Sequence, residues 1–160
     1  WGKDVFSDHL NILKMLSLSK IRIWYMTDNN PIIDINKIVK HWIDTSENDF
    51  ETMLNLFESK SYGWSLFLGH ISTEKILKAL YVKRKREHAP FTHNLYRLAE
   101  QTGLELSDEY ADWLDEITSF NINARYDDYK KEFYKHCTSE FTKEWIDRIK
   151  IIREWIKEML

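Results

Sequence analysis

Glycine and proline are scarce in this chain, four and two among 160 residues, where soluble proteins usually carry roughly 7% and 5%. A many-stranded sheet needs turn residues that are not here, so the composition favours long helices. Cysteine is nearly missing. The single Cys137 excludes an intrachain disulfide framework and leaves the redox compartment open. Charge of one sign is missing as well: 23 basic against 26 acidic residues give a formal charge of -3. That balance removes any global electrostatic case for nucleic acid and makes any phosphate recognition a local matter. No apolar run of about 18 residues occurs, and the N-terminus shows neither a compact apolar core nor a small-residue cleavage site. Neither membrane spanning nor secretion is expected, and a cytoplasmic location is.

What is present is apolar and aromatic. Hydrophobic residues make up 43% of the chain and aromatics 14%, with seven tryptophans, enough to bury one core of its own. The expected organisation is an N-terminal extension over residues 1–30, of open role, followed by one helical domain over residues 31–160. In the extension Phe6, Leu10, Leu13 and Leu16 keep a helical spacing before Thr27-Asp28-Asn29-Asn30-Pro31 breaks it. Pro31 suits a first helical position, and Ile35, Val39, Trp42, Phe50, Met53 and Phe57 share one side of the helix that follows, as far as Ser59. Ser46 with Asp49 is a capping-box pattern that predicts a break near the middle of that helix.

Gly63 marks the next turn, and the helix after it runs to about Arg86, ended by Pro90. Thr92 is the expected cap of a short helix that Gly103 stops. Ser107 opens another, carrying Tyr110, Trp113, Leu114, Ile117 and Phe120 inward to an end near Phe120. In the last helix Phe141, Trp145, Ile149, Ile152, Ile156 and Met159 form one stripe, with Lys143, Asp147, Lys150, Glu154 and Lys157 off it. Antiparallel helices joined by short loops predict an all-α, up-and-down bundle of about five helices.

Chemistry-bearing residues gather in three stretches. On the second bundle helix Trp64, Phe67, Leu68 and Ile71 share a face, and Lys75 and Lys78 fall on its continuation. Two ammonium groups thus stand at core-like positions. Either the stripe emerges into solvent and Glu74 with Lys78 is an ordinary i,i+4 pair, or a partly buried cationic pocket awaits an anion, supplied by Asp49, Asp127 and Asp128 or by a ligand phosphate. Lys83 to Arg86 add four cations at the helix C-terminus, where the macrodipole also favours them. His93 stands at the start of a helix, where a neutral ring caps and a charged one opposes the dipole. Arg125 can hold a phosphate or carboxylate bidentately, or tie its own loop down. His88 and His93 straddle Pro90, and Cys137 has only His136 beside it, so spacing supports no metal site and no cofactor is expected.

The stretches Thr73-Glu74-Lys75-Ile76-Leu77-Lys78-Ala79, Thr92-His93-Asn94-Leu95 and Asn123-Ala124-Arg125-Tyr126-Asp127-Asp128, preceded by Trp42 and Asp49 seven residues apart, occur in the order seen in the HEPN family. The chain resembles a HEPN protein (higher eukaryotes and prokaryotes nucleotide-binding domain) over roughly residues 40–160. That resemblance implies an antiparallel helical bundle that binds nucleotide or phosphate, often beside a small nucleotidyltransferase as toxin and antitoxin. On this reading Lys75, Lys78 and Arg125 contact phosphate, His93 and Asn94 are polar donors, and Tyr126 offers a ring or hydroxyl contact. Glu74 and Asp127 orient the cations. A homodimer is expected, because one helix is apolar on two sides and seven tryptophans are many for one core of this size.

Two other readings stay open. Many HEPN proteins are metal-independent ribonucleases marked by an Arg followed after four to six residues by His. Here Lys130, Lys131 and Glu132 stand where that histidine would follow Arg125, and Arg86 with His93 keeps the spacing only across Pro90. The remaining reading is an interaction module whose polar cluster holds helices in register.

Overall fold

The structure is a computed structural model that describes residues 34–125 and 127–160, the side chains of 127–130 excepted. The helix expected in residues 1–30, and Tyr126, lie outside the described residues. Six helices and no strand are found among them: α1 (Ile35–Glu58), α2 (Tyr62–Lys85), α3 (Leu95–Thr102), α4 (Asp108–Arg125), α5 (Asp127–His136) and α6 (Ser139–Lys157). The all-α class and bundle architecture are as expected from the helical stripes.

Pairings between helices fix the direction of each. Ser46 meets Ser72 and Ser65 meets Met53, so α1 and α2 run antiparallel. His70 meets Ile117 and Arg125 lies over Phe67, so α2 and α4 run antiparallel as well. Arg153 meets Ser72, and a Cβ on Gly69 would meet Ile149, which makes α6 parallel to α2. The four long helices therefore go up, down, up and down, with short α3 and α5 between α2 and α4 and between α4 and α6.

Helix α2 touches every other described helix, and this explains its unusual sequence. Its second half is buried almost all round, with Ile76, Leu77, Ala79, Leu80 and Val82 beside the polar Ser72, Thr73, Glu74 and Lys78. A helix enclosed on all sides has no outward face on which to leave its polar residues. Around it Leu114, Ile117, Phe120, Ile149, Ile152 and Ile156 are fully buried, each worth about 1.5–3 kcal/mol over exposure. The predicted stripe of α6 is the one that faces inward.

Local signals differ from expectation at four places. Helix α1 begins at Ile35 with Asp34 as its cap, the carboxylate accepting from the Lys37 amide at 3.0 Å, and the start expected at Pro31 lies outside the described residues. The helix runs through Ser46 without a break, since the Ser46 hydroxyl donates to the Ser72 carbonyl at 2.7 Å instead of capping its own chain. The cap of α3 is Asn94 and not Thr92: Asn94 Oδ1 accepts from the Arg97 amide at 2.7 Å, while Thr92 Oγ1 accepts from the Asn94 amide at 3.2 Å. Helix α4 continues past Phe120 to Arg125, and α5 follows where no helix was expected. The Gly103 stop is as read, at φ 78°, a left-handed conformation that glycine adopts without strain. None of the described helices is long and apolar enough to cross a membrane.

Candidate functional site

Glu74 is the centre of the polar cluster on α2. One oxygen accepts from Lys78 Nζ at 2.6 Å; the other lies 2.9 Å from His93 Nδ1 and 3.3 Å from His70 Nε2. Helical spacing brings His70 and Lys78 to it, at i−4 and i+4 on the same face. His93 arrives from the connection between α2 and α3, which the Asn94 cap anchors. The carboxylate is nearly sealed, its side chain 8% exposed, whereas the His93 side chain is 64% exposed. Burial alone would push the Glu74 carboxyl up, but hydrogen bonds from His70, Lys78 and His93, with the Lys78 charge, hold it down at about 2. It is therefore a fixed anion.

Lys78 also touches a ring. Its ammonium stands 5.3 Å from the centroid of the Trp42 ring, close enough for a cation–π contact. Both residues line a cleft of about 500 Å³, with Lys37, His41, His88 and Phe91 around them and no carboxylate among the lining residues. Two aromatic rings and several cationic or ionisable groups therefore surround a space the size of a small-molecule site.

The other expected contacts separate from this cluster. Lys75 is paired with Asp49 at 2.6 Å, the protein carboxylate anticipated for it. Arg125 donates through Nε to the Asn121 carbonyl at 3.0 Å and lies 5.8 Å from the Phe67 ring centroid. Phe67 and Lys78 are eleven residues apart on α2, or ~16 Å along the axis. Lys78, His93 and Glu74 are thus brought together, while Lys75 and Arg125 are held elsewhere by partners of their own. Asn94 is engaged as a helix cap. Tyr126 and the side chain of Asp127 lie outside the described residues.

Two residues with roles in this region were not singled out from sequence. His70 could have been, since it stands at i−4 of Glu74 as Lys78 stands at i+4. Arg153 could not. Its guanidinium, 1% exposed, donates to the Ser46 hydroxyl, to the Ser72 carbonyl at 2.9 Å and to Glu47 Oε1 at 3.0 Å, and it lies 4.7 Å from the Phe50 ring centroid. Burial lowers its pKa against the pull of Glu47, Glu154 and Asp49. Arg153 ties α6 to α1 and α2, and nothing local in its sequence foretells it.

Comparison with known proteins agrees with this architecture. The crystal structure of TT1696 from Thermus thermophilus is similar, with a TM-score of 0.66 at 17% identity, over 76% of this chain and 98% of that one. At that identity the likeness bears on the fold alone. No curated protein matches the sequence. The family model described as HEPN domain matches residues 39–159, which takes in all four of the motifs and all of the long helices except the start of α1. The chain belongs to the HEPN domain family.

Proposed function

We propose that this chain is a nucleotide-binding or phosphate-recognising helical module, with its ligand in the cleft between α1 and the connection that follows α2. The family is associated with nucleotide binding or ribonuclease activity. The observation that carries the proposal is the floor of the cleft: a lysine nearly enclosed, 11% exposed, set between a fixed carboxylate and an indole. Glu74 holds the Lys78 ammonium in place, Trp42 and Phe91 offer faces on which a base can stack, and Lys37, His41 and His88 surround the phosphate end. Arg125 is too far along α2 to meet the same phosphate group, so it enters only if the ligand is long enough to reach both, as a short RNA is.

The ribonuclease reading has less support. Arg86 closes α2 in a left-handed conformation at φ 61°, and His93 lies beyond Pro90 on the next connection, so the two do not share one helix. Two further parts of the proposal rest on the family and on surface character. One is a nucleotidyltransferase partner in a toxin–antitoxin-like pair. The other is a homodimer, for which Trp64 and Ile122, 40% and 47% exposed on α2 and α4, supply an apolar face.

A thermal-shift titration with ATP, GTP and short RNA tests the ligand site. At a hundredfold excess over Kd, binding stabilises by about 2.7 kcal/mol, which raises the melting temperature by roughly 5–10 °C for a chain of this size. Trp42→Ala and Lys78→Ala should each abolish the rise while helical content stays the same. A rise that survives both, and disappears in Arg125→Ala, would move the site to the far half of α2.

A further inference from the structure

We propose that His70, Glu74 and His93 form a binding site for a divalent transition-metal ion of the zinc type. His70 Nε2, Glu74 Oε2 and His93 Nδ1 all lie within 4.8 Å of one another. Tetrahedral zinc with ~2.0 Å bonds sets neighbouring ligand atoms ~3.3 Å apart, and His70 and Glu74 already stand at 3.3 Å. The 2.9 Å between Glu74 and His93 has only to open slightly. His93 is free to do this, being on a connection and largely exposed, whereas the other two are fixed one turn apart on a buried helix.

Hydrogen bonding around His70 points the same way. Its Nδ1 lies 3.2 Å from the Ile117 carbonyl and its Nε2 3.3 Å from the Glu74 carboxylate, so both ring nitrogens face acceptors. A neutral imidazole carries one proton and leaves one of these facing pairs with two lone pairs. In the metal-free site Nε2–H donates to Glu74 and the bare Nδ1 faces the Ile117 carbonyl; an ion taking the place of the Nε2 proton lets the other tautomer form, with Nδ1–H donating to Ile117, and satisfies both nitrogens. A backbone carbonyl that fixes the tautomer and turns the second nitrogen inward is the usual outer support of a histidine metal ligand. Lys78 occupies the other carboxylate oxygen and leaves Oε2 available.

Two imidazoles and one carboxylate suit zinc, cobalt or nickel over magnesium or calcium. Three protein ligands leave one coordination position, open on the exposed side of His93, for water or an anion. Spacing in the sequence does not reveal this site, because His70 and His93 belong to different segments and only the turn after α2 brings them together. The inference is independent of nucleotide binding, since the ion is titrated alone.

The experiment is titration of the chelator-treated full chain with Co(II), then competition with Zn(II). The expected result is intense visible bands from four-coordinate cobalt, one ion per chain, displaced by zinc. Loss of an outer-shell partner weakens metal binding 10–100-fold, so His93→Ala and Glu74→Gln should each weaken it by at least about 100-fold. His136→Ala, an exposed histidine at the end of α5, should not. Should His93→Ala lose its helical circular dichroism, His93→Gln replaces it. Bands no stronger than those of aqueous cobalt, an affinity unchanged in the His93 variant, or one lost in His136→Ala would each overturn the proposal.

Discussion

Glu74 makes three side-chain contacts from a nearly sealed position, and its ionisation is therefore coupled to folding. Its carboxyl is held at about 2 against an ordinary 4.5. A carboxyl depressed in the folded state contributes stability that is fully present above its unfolded pKa and lost as pH falls through the folded one. The window is thus pH 4.5 down to about 2, and the contribution at neutral pH is on the order of 3 kcal/mol. Denaturant unfolding of wild type and Glu74→Gln across that range should show a gap that is constant above pH 4.5 and closes toward pH 2. A gap independent of pH would mean that the partners Lys78, His70 and His93 do not act through the carboxylate charge. At this scale the sequence was legible where spacing is helical: Glu74 with Lys78 follows from i,i+4 alone. Asp49 was among the carboxylates anticipated for the lysines, whereas Arg153 depends on which helices meet, and no local pattern encodes that. Cys137 is chemically quiet, since burial pushes its thiol up to about 11.

Elements were more legible than their ends. The stripes of α1, α4 and α6 and the Gly103 stop could be read because periodicity sums over many residues. Caps could not, because Ser46, Thr92 and Asn94 each have a side chain able to cap, and packing decides which one does. Gly69 shows how the elements approach. A Cβ there would stand 2.5 Å from Ile149 Cδ1 and 3.0 Å from Met53 Sδ, so glycine is what lets α1 and α6 close on α2. In an open helix alanine would be preferred by about 1 kcal/mol. Here Gly69→Ala should instead destabilise, by roughly 1–3 kcal/mol for overpacking. Ile149→Val removes the obstructing methyl, so the double variant should recover part of the loss, giving a negative coupling in a double-mutant cycle. Additive effects would show that the crowding is relieved elsewhere.

At the scale of the molecule, the remaining question is what faces the outer side of α2. Trp64, Phe67, Leu68 and Ile71 read as a core stripe from sequence, yet Trp64 is exposed and the other three are only half-buried. Phe67 and Leu68 still pack against the core on one side, while Trp64 keeps 40% of its surface exposed. Trp64 meets Phe67 edge-on with ring centroids 5.6 Å apart, and Arg125 lies over that Phe67 ring from α4, three residues beyond the exposed Ile122. An arginine and aromatic residues flanked by aliphatic ones have the composition of an interface centre, and in the proposed homodimer a second copy offering the same face would cover it by two-fold symmetry. Sedimentation at micromolar concentration should therefore give a dimer. A charge placed under the partner would be desolvated without compensation, so Trp64→Glu should weaken the dimer by at least ~100-fold, equivalent to about 2.7 kcal/mol. Ile151→Glu, equally exposed but on α6, should leave it intact. A wild-type monomer would overturn the dimer, as would dissociation by the α6 variant and not by the α2 one, because the face that carries Trp64 would then not be the interface.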